Sequence, residues 1–251
     1  MMGWISGKNV LVTGASSGIG KHFAKALCAR GATVIAAARR MSALEELAAE
    51  ASGPGRILSL ALDVTDVAGI DAAVAEAERQ AGPLDVLVNN AGIAPVRRAL
   101  ETSVDEFDAM FATNVRGSFF VAQAVARRMV AAGRQGRIVN TASVAGMVVM
   151  PQLTAYGMTK AAVIHMTRCL AVEWARQGIS VNAICPGYVE TELNADFLAS
   201  EAGQKVIASL PRRRAATVAD LEALLLMLVD GDAARCISGA AIPVDDAYSL
   251  M

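Results

Sequence analysis

Histidine, cysteine and aromatic residues are scarce in this chain of 251 residues, which has two histidines, four cysteines and 4% Phe, Trp and Tyr. His22 and His165 are far apart in sequence, which argues against a histidine-based metal centre. Cys28, Cys169, Cys185 and Cys236 form no CxxC pair. Reduced, buried thiols in a cytoplasmic protein are therefore expected, rather than a disulfide framework or a metal knuckle. A basic excess is also missing, since 23 Lys and Arg face 24 Asp and Glu. No field of one sign exists to hold nucleic acid or an anionic membrane. The longest apolar runs, such as 224–229, fall far short of the roughly 20 residues that span a bilayer. Residues 1–8 lack the charged start and apolar run of a signal peptide.

What is present is apolar residue in quantity, 54% of the chain, enough for a large core. Short β-branched runs at 9–13, 33–38, 57–61, 86–89, 137–141, 180–185 and 240–243 read as strands. Several are almost unbroken apolar runs, as strands covered on both faces should be. Amphipathic, alanine-rich segments at 19–30, 43–51, 67–81, 104–131, 155–176 and 218–228 read as helices. Ser103 and Glu106 make a capping-box pattern, and Gly31 and Gly178 stand where left-handed caps are needed. Strand–helix alternation predicts an α/β fold: one Rossmann-type, doubly wound domain over 1–251, with a seven-stranded, mostly parallel sheet flanked by helices. Segment 191–214 has neither a strand nor a long helix and is the largest excursion from the repeat.

Thr13-Gly14-Ala15-Ser16-Ser17-Gly18-Ile19-Gly20 joins the first strand to the first helix. Gly14 permits the tight turn, Gly18 lets backbone approach a pyrophosphate, and Gly20 lets helix and strand pack closely. The free amides of Ser16, Ser17 and Ile19 and the positive helix end would face the phosphates. After the second strand come Arg39 and Arg40, with no carboxylate until Glu45. A carboxylate would repel a ribose 2′-phosphate, whereas a guanidinium grips it, so NADP(H) is favoured over NAD(H). Arg39 carries most of this expectation; Arg40 also reads as a solvated side chain. Asp63 and Val64 follow the third strand, where an adenine edge would lie. Asn90, Ala91 and Gly92 follow the fourth and would line the ribose side.

Tyr156 and Lys160, four residues apart on one helix, lie on one face. An ammonium beside a phenol favours the phenolate and would lower the tyrosine pKa, giving a proton donor and acceptor near neutral pH. The same spacing also arises where a lysine stem packs over a ring, so the rest of the chain decides. With the glycine turn, Asn89-Asn90-Ala91-Gly92, Asn114, Ser143 and Pro186-Gly187 with Thr191, the chain resembles the short-chain dehydrogenase/reductase family. The likeness is to its compact single-domain branch, similar to 3-oxoacyl-carrier-protein reductases and related carbonyl reductases. The motifs occur in family order over nearly the whole chain.

That resemblance implies an oxidoreductase moving a hydride between nicotinamide and a ketone or secondary alcohol. Ser143 would hydrogen-bond the substrate oxygen, Tyr156 would exchange a proton with it, and Lys160 would hold the ribose and tune the phenol. Asn114 would order a relay water. Pro186, Gly187, Val189 and Thr191 would anchor the carboxamide. It also implies a homotetramer or homodimer and no nucleic-acid or membrane partner. Two departures stand out. Many relatives carry Asp-Gly-Gly near the C-terminus where this chain reads Asp245-Asp246-Ala247, and Ser17 sits where some NADP-preferring relatives place a basic residue.

Met147, Gln152, Leu193 and Phe197 are the candidate pocket walls, with Val148, Val149, Met150 and Asn194 beside them. A hydrophobic, neutral substrate is therefore expected, although each could instead be a core or subunit-contact residue. Arg97-Arg98 and Arg212-Arg213-Arg214 keep open a 3-oxoacyl thioester as substrate. A non-catalytic NADP-binding sensor or scaffold is the rival from another class; it would need the glycine turn but not Ser143, Tyr156 and Lys160 together.

Overall fold

A computed structural model describes residues 4–192 and 194–251. Its sheet runs in the order β3-β2-β1-β4-β5-β6-β7, with β1 (Asn9–Thr13), β2 (Thr33–Ala38), β3 (Arg56–Ala61), β4 (Val86–Asn89), β5 (Gly136–Thr141), β6 (Ile179–Pro186) and β7 (Ala241–Val244). Every pairing is parallel. The helices are α1 (Gly18–Ala29), α2 (Met41–Ala49), α3 (Val67–Ala81), α4 (Val104–Phe111), α5 (Ser118–Ala131), α6 (Thr154–Glu173), α7 (Ala195–Ala199), α8 (Glu201–Ser209) and α9 (Glu222–Val229).

Alternation along the strands builds two cores. Val10, Val12, Val34, Ala36 and Val88 point to one face and meet Phe23 and Leu27 of α1, Leu44 and Leu47 of α2, and Leu225 and Leu228 of α9. Leu11, Ile35, Leu87 and Ile138 point to the other and meet Ile70 and Val74 of α3 with Val121 and Val125 of α5. Burying each such side chain stabilises by roughly 1.5–3 kcal/mol. Strand order reverses between β1 and β4, and the crevice beyond their carboxyl ends is where ligands bind in sheets of this kind.

The predicted helix 104–131 is not continuous. Ser103 and Glu106 cap it reciprocally, with Glu106 N donating to Ser103 Oγ at 3.1 Å and Ser103 N to Glu106 Oε2 at 3.1 Å. A π-helical stretch, Ala112–Gly117, then separates α4 from α5; such bulges break the helical ladder locally. Gly31 and Gly178 take the left-handed values expected, φ +92° and +72°. The excursion at 191–214 contains α7 and α8, whose short lengths and alanine–serine content hid their periodicity. The expectation of buried thiols holds for Cys28 and Cys185 only; Cys169 and Cys236 are exposed. Lys160, Val163, Ile164, Thr167, Leu170 and Ala171 form the inward stripe of α6, and Cys169 falls off it.

Candidate functional site

The turn after β1 is stitched to the end of β4. Thr13 Oγ1 accepts from Asn90 N and Ala91 N, both at 3.0 Å, and Asn90 Nδ2 donates to Thr13 O at 3.2 Å. Gly14 has φ +66°. A Cβ at Gly20 would collide with Gly14 O and Asn90 Nδ2, so only glycine lets α1 start this close to the turn. Ser17 precedes α1 but makes no side-chain cap, leaving the first amides of α1 without a side-chain partner. Backbone amides at a helix N-terminus, open at a glycine turn, form a cradle that suits a pyrophosphate. Ile19 is partly buried behind this cradle and packs on the α1-side core. A dinucleotide coenzyme fits these residues.

Arg40, not Arg39, reaches the turn: its Nη2 donates to Ser16 Oγ at 3.1 Å and Ser17 Oγ at 3.0 Å. Arg40 thus bonds the turn while remaining exposed. Arg39 instead lies within electrostatic reach of Asp63, whose carboxyl is held below its usual range first by bonds from Thr65 N and Oγ1 and last by Arg39. Val64 is buried against the π stretch, where a Cβ at Gly117 would meet Val64 O at 2.6 Å.

At the carboxyl ends of β5 and β6, Ser143, Tyr156 and Lys160 come together. Ser143 is buried; its Oγ accepts from Ala145 N at 3.1 Å and donates to Pro186 O at 3.4 Å. Lys160 is buried, and its Nζ donates to Thr141 O at 2.8 Å. Burial lowers the Lys160 pKa to about 8. Part of the Tyr156 ring remains accessible, yet its phenol is surrounded by protein. Burial raises its pKa to about 12, against a hydrogen bond with the Ser143 hydroxyl that pulls it down. The lowering expected from Lys160 is thus not found, because desolvation of the phenol itself sets the direction of the shift. Burial also pushes the neighbouring Cys185 thiol up to about 12.

Asn114 sits in the π stretch with both side-chain N–H groups engaged. Its Oδ1 accepts from Ile93 N at 2.8 Å, and its Nδ2 donates to Ile93 O at 2.9 Å and Thr159 Oγ1 at 3.0 Å. A Cβ at Gly92 would lie 3.3 Å from Asn114 Oδ1 and 3.5 Å from Lys160 Nζ, so a glycine there keeps the space between these two groups open.

The segment Pro186-Gly187-Tyr188-Val189-Glu190-Thr191 closes the crevice. Gly187 N donates to Val244 O at 3.0 Å, and Val189 bridges Ala216. Thr191 approaches the glycine turn, with its Cγ2 3.6 Å from the position of a Gly18 Cβ. Asn194, a candidate wall residue, is used locally: its Oδ1 accepts from Thr191 N and its Nδ2 donates to Val189 O. Met147, Gln152 and Phe197 are exposed, and Gln152 has φ +65°. Its carbonyl accepts from Arg97 N at 2.9 Å, tying the two loops flanking the site. Leu193 lies outside the described residues. The arginine runs are largely neutralised within the chain: Arg97 pairs with Glu106, Arg212 with Asp246, and Arg214 with Asp220 and Asp246. Glu106 and Asp220 lie within ten residues of the arginines they pair with, whereas Asp246 is 34 residues from Arg212.

A family model described as short chain dehydrogenase matches residues 8–202. The NAD-dependent glycerol dehydrogenase of Listeria innocua is 36% identical over 98% of this chain and 95% of its own length. The D-threitol dehydrogenase of Mycolicibacterium smegmatis is 37% identical over 98% and 94%. The crystal structure of a gluconate 5-dehydrogenase from Burkholderia cenocepacia, in complex with NADP and tartrate, superposes with a TM-score of 0.91 at 31% identity, covering 100% of this chain and 99% of that one. With a parallel seven-stranded sheet, a glycine-turn crevice and likeness along essentially the whole chain, the protein belongs to the short-chain dehydrogenase/reductase family, as an oxidoreductase of alcohols or ketones.

Proposed function

We propose that this chain is an NADP(H)-dependent oxidoreductase that interconverts a neutral, hydrophobic ketone and its secondary alcohol. The observation that carries the reading is the meeting of Ser143, Tyr156 and Lys160 beside a dinucleotide cradle. A nicotinamide coenzyme, when bound, supplies or accepts the hydride. Ser143 Oγ hydrogen-bonds the substrate oxygen and stabilises the negative charge that develops there. Tyr156 gives that oxygen its proton during reduction; burial keeps the phenol protonated, the form that this direction needs. Lys160 holds the ribose hydroxyls and, once charged, draws the phenol toward ionisation during oxidation.

Asn114 positions a water through a spare Oδ1 lone pair or its main-chain carbonyl, since both side-chain N–H groups are engaged. The gap between Asn114 and Lys160 is where such a water would pass a proton onward. Pro186, Gly187, Val189 and Thr191 hold the carboxamide end. Ser16, Ser17 and Arg40 grip a ribose 2′-phosphate with Arg39 adding charge, while Asp63, Val64, Asn90, Ala91 and Gly92 line the adenosine side.

Use of NAD(H) is the second reading, favoured by the NAD-dependent relative. Exposed Ile93, Val96, Met147, Val149 and Phe197 support a hydrophobic substrate, and internal pairing of the arginines weighs against an anionic thioester. The joint presence of the three catalytic side chains weighs against a silent sensor. We further propose that the chain works as one catalytic domain in the cytoplasm. It would do so as a homodimer or homotetramer, joined through the apolar crevice between α5 and α6 lined by Phe119, Val130, Leu170 and Trp174. The test is NADPH and NADH oxidation against apolar ketones, diketones, steroids, 3-oxoacyl thioesters, and the keto forms of polyols and gluconate. Turnover of an apolar ketone with NADPH supports the reading. Turnover confined to sugars or polyols overturns the substrate class, and silence with intact NADPH binding favours the sensor.

A further inference from the structure

The helical excursion α7–α8 leaves the sheet at Thr191 and returns through Arg212–Ala216, beside the C-terminal turn that follows β7. That turn is conformationally costly. Asp246 has φ +50° and Ala247 φ +68°, a region that glycine enters freely and other residues avoid. Asp245 builds the turn: its Oδ1 accepts from Ala247 N at 3.1 Å and its Oδ2 from Ser249 N at 2.7 Å. Asp246 contributes none of these bonds. Its carboxylate faces the returning segment instead. Arg212 Nη1 donates to Oδ1 at 3.1 Å, and Arg214 Nε stands 2.8 Å from Oδ2. Oδ2 accepts no aligned hydrogen bond, so that second contact is one of charge rather than direction. Arg214 also donates to Asp220 at 3.0 Å, in the capping box of the short helix Val218–Leu221 that leads into α9. Arg213, at the middle of the run, has φ +51°.

The same turn touches the segment that would hold the carboxamide. Gly187 N donates to Val244 O at 3.0 Å, Ala216 N donates to Tyr188 O at 2.8 Å, and Tyr188 meets Tyr248 edge to face at 5.6 Å. Tyr188, Leu210, Arg214, Asp246 and Tyr248 line one small crevice.

We propose that Asp246 is a positioning residue. Clasped by Arg212 and Arg214, it fixes where the α7–α8 excursion rejoins the sheet and so holds the substrate side of the crevice. A turn needing only its backbone shape would be less strained with glycine at this position; the carboxylate supplies the clasp that glycine cannot. The assignment of this side to substrate rests on the function proposed above, but the clasp itself does not.

The test is amide hydrogen exchange of residues 195–209 at 20 mM and 1 M NaCl, with the amides of β1 and β4 as the internal reference and no substrate needed. Exposed ion pairs are weak and screened by salt, so in the wild type these amides should exchange about three- to tenfold faster at 1 M while the reference stays unchanged. Asp246→Asn and Asp246→Gly should exchange at the fast rate in both salts, although the glycine variant relieves the backbone strain. Asp246→Glu, which keeps the carboxylate, should restore the salt response. Exchange in Asp246→Gly that matches the slow wild-type rate, or a wild type without salt response, overturns the clasp. An inactive enzyme with the predicted exchange pattern would contradict the proposed function and leave the clasp standing.

Discussion

Lys160 Nζ lies 5.6 Å from the centre of the Tyr156 ring and points its hydrogen bond at Thr141 O, 2.8 Å away. The two side chains share a helix face as their spacing requires. Their electrostatics, however, are set by burial before they are set by each other, and the outcome is a protonated phenol beside an amine that loses its proton more readily than in water.

That arrangement has a thermodynamic signature. In the unfolded chain Lys160 titrates near its ordinary 10.5, but in the fold it does so at about 8. Below pH 8 the amine is charged in both states, and the fold bears the desolvation cost. Between pH 8 and 10.5 the unfolded chain binds more protons, so this contribution to stability rises with pH. Lys160→Met, without coenzyme, should therefore melt higher than the wild type at pH 7. The ceiling is on the order of 3 kcal/mol, reduced by the lost bond to Thr141. The advantage should shrink to nothing by pH 10.5. Thermal unfolding from pH 6 to 10.5 checks this; a variant destabilised equally at every pH contradicts it.

Coenzyme choice should depend on both arginines, through different contacts. Arg40→Ala removes the guanidinium bonded to Ser16 and Ser17 and should weaken NADPH about ten- to hundredfold, the range for a lost charge-assisted hydrogen bond. NADH should change little. Arg39→Asp places a carboxylate near Asp63 and should shift preference toward NADH. Fluorescence titration with both coenzymes measures each shift, and unchanged selectivity in either variant removes that arginine from the 2′-phosphate site.

Two glycine substitutions separate structure from chemistry. Gly20→Ala collides with Gly14 O and the Asn90 amide; it should cost about 1–3 kcal/mol of stability through overpacking and abolish coenzyme binding. Gly92→Ala meets one tight contact, 3.3 Å from Asn114 Oδ1, which a shift of a few tenths of an ångström relieves, and one ordinary contact, 3.5 Å from Lys160 Nζ. The fold should hold while turnover falls, because the methyl enters the space between the relay groups. Melting curves and initial rates on both variants decide it; full activity in Gly92→Ala contradicts the relay path.

The strands were legible because parallel, doubly covered strands must be apolar nearly throughout, as Val10-Leu11-Val12 and Val34-Ile35-Ala36 are. The glycine turn was legible because its geometry tolerates few other residues. What escaped the sequence depends on tertiary proximity. Nothing local marks Arg40 rather than Arg39 as the partner of Ser16 and Ser17, since rotating either side chain reaches the crevice. The π stretch around Asn114 has no periodicity of its own. Burial of Lys160 and Tyr156 reverses the pKa expectation drawn from spacing alone, because desolvation depends on how deeply α6 packs in the fold and not on the step between the two residues. Asp246 looked like the loss of a turn glycine, and only its contact with Arg212 and Arg214 gives the replacement a purpose.

The central claim is that Tyr156 is the proton donor of a coenzyme-dependent reduction, and Tyr156→Phe tests it most directly. NADPH affinity and steady-state turnover would be measured on wild type and variant with the ketone that wild type reduces fastest. Tyr156→Phe should keep an NADPH Kd within about twofold of wild type and lower turnover by roughly 10²–10⁴, the range for a lost general acid. Near-normal turnover in the phenylalanine variant would contradict it.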